Sequence, residues 1–415
     1  MKNTNNNTCD APGLMPIQQA RSIIQQTIQP VAEQTHCLLA DALDRVICCN
    51  IVSPINVPAY DNSAMDGYAL KANDLSHTNT LKQVGKSFAG TPFTRPIQQG
   101  ECVRIMTGAK IPEGADTVVM QENTEANNES ITFLQPVKQG LAIRPKGDDI
   151  QKGSVVLPKG KRISAIDIGL LASLGINNIP VFRQLTVAVF STGDELVEAG
   201  QAAEANKIFD SNRPMLIAML KRMGAKVIDM GIIVDNKSHI KAAFEQADMQ
   251  ADCVITSGGV SVGEADYTRE ILAEYGNIDF WKLAIKPGKP LAFGRLPNSV
   301  FFGLPGNPVS SAVTFDQIAG PAIEYMSGQV SNIPAEVKAT ASSNIKKRPG
   351  RTDYQRAHYD SDEQGQLVVK VAASQSSGVL SGFSTSNCYA VIESERGSVS
   401  EGETVSILPF GSRLT

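Results

Sequence analysis

The pattern of hydrophobic and polar positions between residues 185 and 327 switches repeatedly between two periods. Short apolar runs, such as LTVAVF (185–190), KVIDMGII (226–233) and DCVIT (252–256), predict buried strands. Between them lie segments in which apolar residues recur three and four positions apart, and Pro214 and Gly224 mark the two ends of one such segment. Strands that alternate with amphipathic helices predict an α/β domain with a mostly parallel sheet and helices on both faces.

The same region continues with a helix pattern, DYTREILAEYG, and three more strand patterns, FWKLAI, LAFGRL and SVFFGL. A long helix pattern, NPVSSAVTFDQIAGPAIEYMSG, ends this region.

The segments before and after the α/β region have different patterns. Residues 16–50 contain two helical patterns, PIQQARSIIQQTI and LLADALDRVI, whereas residues 55–160 are rich in glycine, proline and short β-like runs. Residues 330–415 alternate short strand patterns with polar turns, which predicts a small β-barrel or sandwich.

The amino-acid composition and net charge argue against several classes of protein. The chain has 415 residues, of which 42% are hydrophobic and 19% charged, so a folded chain of several domains is expected. The net charge of −4 argues against bulk nucleic-acid binding. No apolar stretch reaches the ~18 residues of a membrane span, and the start of the chain is not a signal peptide. The seven cysteines are scattered, which favours reduced thiols in the cytoplasm and disfavours a structural zinc site.

The stretch SGGVSVGEADYT (257–268) follows a predicted strand and precedes a predicted helix. Its glycines allow close backbone approach to a ligand, and amides at a helix start attract anions. It is neither a Walker A loop nor a dinucleotide fingerprint, so a phosphate site and a tight structural turn remain alternatives. Asp266 is either a cap that favours the helix dipole or a Mg²⁺ ligand beside phosphate oxygens.

Two further stretches point to an anionic ligand. In WKLAIKPGKP (281–290), strand alternation places Lys282 and Lys286 on one face, ~13 Å apart, and Lys289 follows in a proline-stiffened turn. Ammonium groups gathered in this way favour an anion site over lysines that merely reach solvent. In FFGLPGNPVSSA (301–312), two prolines make a rigid turn, and Asn307 or Ser310 can cap the next helix. The acidic loops AYDNSAMDGYAL and RPKGDDIQKG are either solvated turns or parts of a site.

Six motifs occur together and in order: DNSAMDGYA, RIMTGA, STGDEL, SGGVSVGEADYT, WKLAIKPGKP and GLPGNPVS. Over residues 12–411 the chain closely resembles the molybdopterin molybdenumtransferases, bacterial relatives of the E domain of gephyrin. The resemblance implies insertion of molybdenum, supplied as molybdate, into adenylylated molybdopterin, with release of AMP and with Mg²⁺ as cofactor. It also implies a homodimer whose site joins the α/β domain of one subunit to the Asp66 region of the other.

The resemblance implies four domains. These are a discontinuous, mixed α/β linking and dimerisation region (12–54 and 141–184), a β-rich inserted domain (55–140), an α/β molybdopterin-binding domain (185–328) and a C-terminal β-barrel domain (329–415). The implied partners are the pterin substrate, a molybdopterin adenylyltransferase that supplies it and maturation proteins of molybdoenzymes, with no nucleic acid and no membrane.

By motif match, the resemblance implies catalytic roles for five residues: Asp66, Thr107, Asp149, Glu195 and Asp266. It implies metal binding by Asp235 and Asp266. The residues implied to bind the pterin substrate or molybdate are Ser257, Gly258, Gly259, Ser261, Lys282, Lys286, Lys289, Pro305, Gly306, Asn307, Pro308 and Arg356. One feature departs from the family pattern, because Pro145 interrupts the basic cluster expected near Arg144.

Two other functions compete with this one. A gephyrin-like scaffold that binds receptor loops needs neither a metal nor an anion pocket, and the intact KPGKP and GEADYT stretches favour the enzyme. A molybdopterin adenylyltransferase would share the α/β fold but would not require the additional 270 or so residues.

Overall fold

A computed structural model describes residues 13–202, 205–259, 267–330 and 335–414. Its N-terminal region contains helices α1 (Ile17–Thr27) and α2 (Ala165–Ser173). Around them lie the short strands β1 (Gln34–Leu38), β2 (Ile51–Val52), β3 (Asn62–Ser63), β10 (Ile143–Arg144), β11 (Val155–Leu157) and β12 (Asn178–Phe182). They form three two-stranded antiparallel pairs, β1–β12, β2–β11 and β3–β10, so the start of this region pairs with its end.

Between β3 and β10 the chain forms a separate six-stranded sheet in the order β7–β4–β6–β5–β9–β8. Its strands are β4 (Gly67–Leu70), β5 (Thr80–Ser87), β6 (Glu101–Ile105), β7 (Thr117–Met120), β8 (Thr124–Asn127) and β9 (Ser130–Phe133). Short 3₁₀ turns lie at Leu39–Asp41, Ala72–Ser76 and Gln121–Asn123. The predicted β-rich character of residues 55–140 is therefore confirmed.

The second helix predicted in the N-terminal region, over LLADALDRVI, is wrong. The structure has only the single 3₁₀ turn there, and the backbone then enters the left-handed region at Asp44, with φ at 63°. After this residue, Val46 and Ile47 make isolated β-bridges to Arg162 and Val181. Backbone pairing with distant residues thus replaces the helix that the local apolar spacing favours.

The α/β domain follows the predicted alternation. Its six-stranded sheet has the order β16–β13–β17–β21–β20–β18, in which the first four strands pair in parallel and β20 is antiparallel to both of its neighbours. The strands are β13 (Thr186–Thr192), β16 (Lys226–Ile233), β17 (Cys253–Ser257), β18 (Asn277–Lys282), β20 (Pro290–Arg295) and β21 (Val300–Leu304). Between β13 and β16, the short strands β14 (Leu196–Val197) and β15 (Ile208–Phe209) pair with each other.

Helices cover both faces of this sheet, as predicted. α3 (Asn212–Arg222) and α6 (Pro308–Thr314) pack on one face, where Val187, Ile255 and Phe302 are buried. α4 (Lys237–Gln250) and α5 (Tyr267–Tyr275) pack on the other. The long helix predicted from NPVSSAVTFDQIAGPAIEYMSG begins with α6 and continues through a π-helical segment (Phe315–Ala319) into α7 (Gly320–Met326).

The C-terminal region is a closed barrel. Its five strands are β22 (Val337–Ala341), β23 (Thr352–Ser361), β24 (Leu367–Val371), β25 (Cys388–Ile392) and β26 (Thr404–Pro409). They pair around a ring in the order β22–β24–β23–β25–β26, and β26 pairs with β22 again. A 3₁₀ turn lies at Leu380–Phe383. Ring closure removes exposed strand edges, and the barrel has its own apolar core. Within the described part of the chain, no helix has the length and apolar character that a membrane crossing requires.

The predicted strand FWKLAI is split between two sheets. β18 ends at Lys282 in the α/β sheet, and a new two-residue strand, β19 (Ile285–Lys286), runs parallel to β23 of the barrel. The amide of Ala284 donates to the carbonyl of Met15 (2.8 Å), and the amide of Thr352 donates to the carbonyl of Ala284 (2.9 Å). The lysine-bearing stretch is therefore the place where the N-terminal segment, the α/β sheet and the barrel meet.

Candidate functional site

The strand order of the α/β sheet reverses at β13, because the chain runs from β13 to β16 on one side and then returns to β17 on the other. Ligands of open α/β sheets bind in the crevice at such a switch point, beyond the carboxyl ends of the strands. Here those ends are Thr192 of β13 and Ser257 of β17. Gly258 and Gly259, which follow Ser257, lie at this crevice.

Both glycines are required by the local geometry. Their φ angles are 92° and 65°, in the region that residues with a Cβ rarely adopt. A Cβ on Gly258 would lie 2.8 Å from the carbonyl oxygen of Thr192, and a Cβ on Gly259 would clash with the hydroxyl of Thr268. The structure thus shows a tight turn at these two glycines, and anion binding by this loop stays a prediction. Ser261 and Asp266, also predicted for the site, lie outside the described residues.

The predicted turn at residues 305–308 lies beside the glycine loop. The amide of Gly258 donates to the carbonyl of Leu304 (3.2 Å), the last residue of β21. Pro308 is the first residue of α6, as its fixed φ favours. The expected capping by the Asn307 side chain does not occur, and this side chain is exposed while its carbonyl accepts from the amide of Ser311 (2.9 Å).

The three predicted lysines lie in one compact loop rather than on one strand face. The amide of Leu283 donates to the carbonyl of Lys289 (2.7 Å), which closes the loop, and the side chains of all three lysines are exposed. Gly288, with φ at 109°, packs so closely on α6 that a Cβ there would clash with the hydroxyl of Thr314. The lysine loop and the 305–308 turn are thus held against the same helix.

One of these lysines has a buried partner. The Lys286 ammonium lies 3.6 Å from the carboxylate of Asp353, whose side chain is 3% exposed. Asp353 belongs to β23, so the barrel contributes directly to the lysine loop. Sequence reasoning missed Asp353, because its only signal is its place in a strand of a different domain.

Arg356 was predicted to bind the pterin substrate or molybdate, but the structure gives it a different environment. Its side chain is 1% exposed, and its guanidinium donates to the carbonyls of Ser374, Ser376 and Val379. Backbone carbonyls therefore occupy donors of the Arg356 guanidinium in this structure, and direct substrate binding by this residue stays a prediction. The loop that it holds reaches the site, since the carbonyl of Ser377 accepts from the amide of Val309 in α6 (3.1 Å). The geometry supports an indirect role for Arg356.

The predicted acidic residues of the N-terminal region lie on adjoining loops. β10 pairs with β3, and the amide of Lys146 donates to the carboxylate of Asp61 (2.7 Å). This pairing brings the RPKGDDIQKG loop, with exposed Asp149, next to the loop that leads to Asp66. The predicted proximity of Asp149 itself to the ligand stays a prediction.

Asp66 and Thr107 are in direct contact. One carboxylate oxygen of Asp66 accepts from both the amide (2.7 Å) and the hydroxyl (2.8 Å) of Thr107. These donors favour the charged form, so they lower the pKa of Asp66 below its usual value. The pair thus presents an ionised carboxylate of fixed orientation.

Replacing Thr107 with valine is expected to raise the pKa of Asp66. The change removes the hydroxyl donor but keeps the backbone donor, so the pKa moves towards, and not beyond, the usual value for aspartate. When the pH is lowered, the Asp66 carboxylate of the variant therefore takes up its proton at a higher pH than that of the wild-type protein. An NMR titration of the Asp66 carboxyl carbon measures this change directly, and a pKa that stays the same or decreases would contradict it.

A second acidic group follows the carboxyl ends of β13 and β16. The amide of Asp235 donates to a carboxylate oxygen of Asp194 (3.1 Å). Partial desolvation raises the pKa of the exposed residue Asp235, and the negative charges of Asp194 and Glu195 raise it further. A divalent cation would relieve this repulsion, and Mg²⁺ is bound by one or two carboxylates together with phosphate oxygens. Among the described residues, however, no group of three or more potential ligand side chains is arranged to hold a metal without such a substrate.

Comparison with known proteins agrees with this arrangement. Three family descriptions match in succession: "MoeA N-terminal region (domain I and II)" over residues 15–175, "Probable molybdopterin binding domain" over 188–325 and "MoeA C-terminal region (domain IV)" over 338–410. The chain is 48% identical to a molybdopterin molybdenumtransferase of Haemophilus influenzae over 97% of this chain and 100% of that one. The chain belongs to the molybdopterin molybdenumtransferase family.

Other members of the family are more distant but align over most of their length. A molybdopterin molybdenumtransferase of Nostoc is 35% identical over 88% of this chain and 86% of its own. A crystal structure of the molybdopterin biosynthesis moeA protein of Pyrococcus horikoshii superposes with a TM-score of 0.84 at 29% identity, over 96% of this chain and 100% of that one. The multidomain architecture predicted from the resemblance is therefore confirmed.

Proposed function

We propose that this protein inserts molybdenum, supplied as molybdate, into adenylylated molybdopterin and releases AMP. The observation that carries the proposal is that the glycine loop, the 305–308 turn and the lysine loop meet around α6 in a member of the molybdenumtransferase family. Both substrates are anions, and exposed ammonium groups beside backbone amides are suited to bind them. The sulfur ligands of molybdenum belong to the dithiolene of the substrate, so the protein needs no cysteine cluster.

The chain's own residues bind and orient these substrates. The amide of Gly259 and the ammonium groups of the lysine loop offset the charge of the pyrophosphate and of molybdate. Asp66, held by Thr107, supplies an ionised carboxylate of fixed orientation, and Asp149 and Glu195 are proposed to complete the acidic set. Asp235 and Asp266 would hold Mg²⁺, which when bound neutralises phosphate charge during cleavage of the adenylate. Asp194 is a third candidate ligand for Mg²⁺.

The decisive experiment is reconstitution with purified protein. Adenylylated molybdopterin, molybdate and Mg²⁺ are mixed with the protein, and AMP release and the molybdenum content of the pterin are measured. We expect AMP and molybdenum-loaded pterin to appear together and in equal amounts. If neither forms while a known molybdenumtransferase is active in the same assay, the proposed function is wrong.

We further propose a homodimer whose site is completed by the Asp66 region of a second copy. Tyr60 and Met65, which flank this region, are 39% and 46% exposed in the single chain, as expected for apolar side chains that a partner covers. In C2 symmetry the two subunits complete each other's sites.

Light scattering is expected to give twice the chain mass of 44.3 kDa. Mixing an Asp66→Ala variant with a Lys286→Gln variant tests the shared site, because one of the two sites in each mixed dimer then contains neither change. Activity is expected to return on mixing. A monomer with full activity at micromolar concentration would refute the shared site.

The remaining expectations are proposals as well. We place the protein in the cytoplasm, which agrees with the six cysteines among the described residues, all of them free thiols. A molybdopterin adenylyltransferase is the proposed source of the substrate, and maturation proteins of molybdoenzymes are the proposed recipients of the product. The domain boundaries predicted from the sequence are also retained as proposals.

A further inference from the structure

Asn212 lies where three loops at the carboxyl end of the sheet meet. It is the first residue of α3 and is only 7% exposed. Its side-chain amide nitrogen donates two hydrogen bonds, to the hydroxyl of Ser257 (2.8 Å) and to the carbonyl of Gly306 (2.7 Å). These partners are 45 and 94 residues away in sequence, and each belongs to one of the two loops proposed to bind the substrate.

We infer that Asn212 is a positioning residue that holds the glycine loop and the 305–308 turn in register for the anionic substrate. The inference rests on the proposed function only for the identity of that substrate. An amide nitrogen carries two donors on one atom, so a single short side chain can join two acceptors. Serine has one donor and aspartate has none, and glutamine is one methylene longer.

The position of the bonds explains why they matter for binding. Strand pairing between Ser257 and Leu304 and the hydrogen bond from the amide of Gly258 to the carbonyl of Leu304 join the two segments as far as Leu304, and Asn212 extends the connection two residues further, to Gly306. Gly306 is exposed, so its carbonyl would remain solvated without Asn212. The hydrogen bond to Asn212 thus contributes order to this turn, and an ordered turn binds its ligand with a smaller entropic cost.

The test measures inorganic pyrophosphate binding by calorimetry, with the full chain and without turnover. Asn212→Ala is expected to weaken binding about fivefold to 30-fold, which is about 1 to 2 kcal/mol for two neutral hydrogen bonds. Asn212→Leu keeps the side-chain volume, adds no charge and removes both donors, so it is expected to weaken binding to a similar extent. It also removes a buried amide oxygen that has no hydrogen-bond partner among the described residues, which favours folding of this variant.

Ser211→Ala is the matched control. Ser211 precedes Asn212 at the same helix start, is exposed and makes no capping hydrogen bond, so its replacement is expected to leave binding within twofold of wild type. Thermal melting of all variants separates binding from folding. A lower melting temperature with unchanged pyrophosphate affinity would show that Asn212 only stabilises the fold, and would overturn the inference.

The two proposals fail in different ways. If pyrophosphate binding depends on Asn212 but the wild-type protein does not transfer molybdenum, the proposed function is refuted and the inference is supported. Active wild-type protein whose Asn212 variants bind pyrophosphate normally refutes the inference alone. Wild-type protein that does not bind pyrophosphate at millimolar concentration also overturns the inference, because the two loops then form no anion site.

Discussion

Replacing Asp266 with asparagine is expected to reduce Mg²⁺-dependent AMP release at least ~100-fold. A catalytic metal stabilises the transition state by several kcal/mol, and each ~1.4 kcal/mol corresponds to a tenfold change in rate. Asp266 precedes α5, which begins at Tyr267, so its carboxylate is either a helix cap or a metal ligand. Asparagine caps a helix about as well as aspartate but is a poor ligand for Mg²⁺. We therefore expect near-normal melting together with the loss of AMP release.

Glu270→Gln is the control for this change. Glu270 is the acidic residue in the first turn of the same helix, and its exposed side chain pairs with Lys237 (3.1 Å). Its replacement removes a charge near the same helix start but no proposed metal ligand, so AMP release is expected to stay near the wild-type rate. Raising the Mg²⁺ concentration is expected to restore part of the activity of Asp266→Asn. Reduced melting with normal AMP release would show that the carboxylate only caps the helix.

Lys286→Gln is expected to weaken binding of adenylylated molybdopterin or of molybdate about tenfold to 150-fold, because a hydrogen bond to a charged group contributes ~1.5–3 kcal/mol. Glutamine keeps polarity and most of the length but removes the charge. The change also breaks the pair with Asp353. Because Asp353 is buried, its carboxylate loses a cationic partner and keeps the hydrogen bond from Gln355 (3.2 Å), so the melting temperature is expected to fall and is measured together with binding.

Lys346→Gln is the matched control, since Lys346 is an exposed lysine at the start of the same barrel and lies outside the proposed site. It is expected to bind both ligands like the wild-type protein. Calorimetry at two salt concentrations adds a second criterion, because screening reduces the contribution of an exposed charge. If Lys286→Gln binds both ligands within twofold of wild type, Lys286 is a surface residue and the proposed anion site is wrong.

The α/β domain shows how far local signals can predict a structure. α3 follows the apolar spacing of its sequence and buries Leu216, Met219 and Leu220, and the buried strand β17 follows a continuous apolar run. Periodicity is set by the geometry of each element, so it can be recognised without knowledge of the partners. The glycine pair after β17 is likewise a local requirement of backbone conformation.

Local signals fail where distant segments compete for the same backbone. The apolar spacing of LLADALDRVI predicts a helix, but in the structure the end of this segment forms β-bridges to residues 162 and 181 instead. The alternation of WKLAIKPGKP is that of a strand, and the structure has strand residues at both Lys282 and Ile285. The alternation cannot predict that the strand leaves one sheet at Lys282 and joins the barrel at Ile285.

The sequence by itself determined the fold class, the family, the alternation of strands and helices in the α/β domain and the motifs from which the site residues were predicted. Only the tertiary structure decided that Arg356 is buried against a loop, that Asp353 pairs with a lysine of the α/β domain and that Asn212 joins two loops. The reason is physical. Element type depends on neighbours a few residues away, whereas the partner of a buried polar group is supplied by chain folding and can be nearly one hundred residues away, as Gly306 is from Asn212.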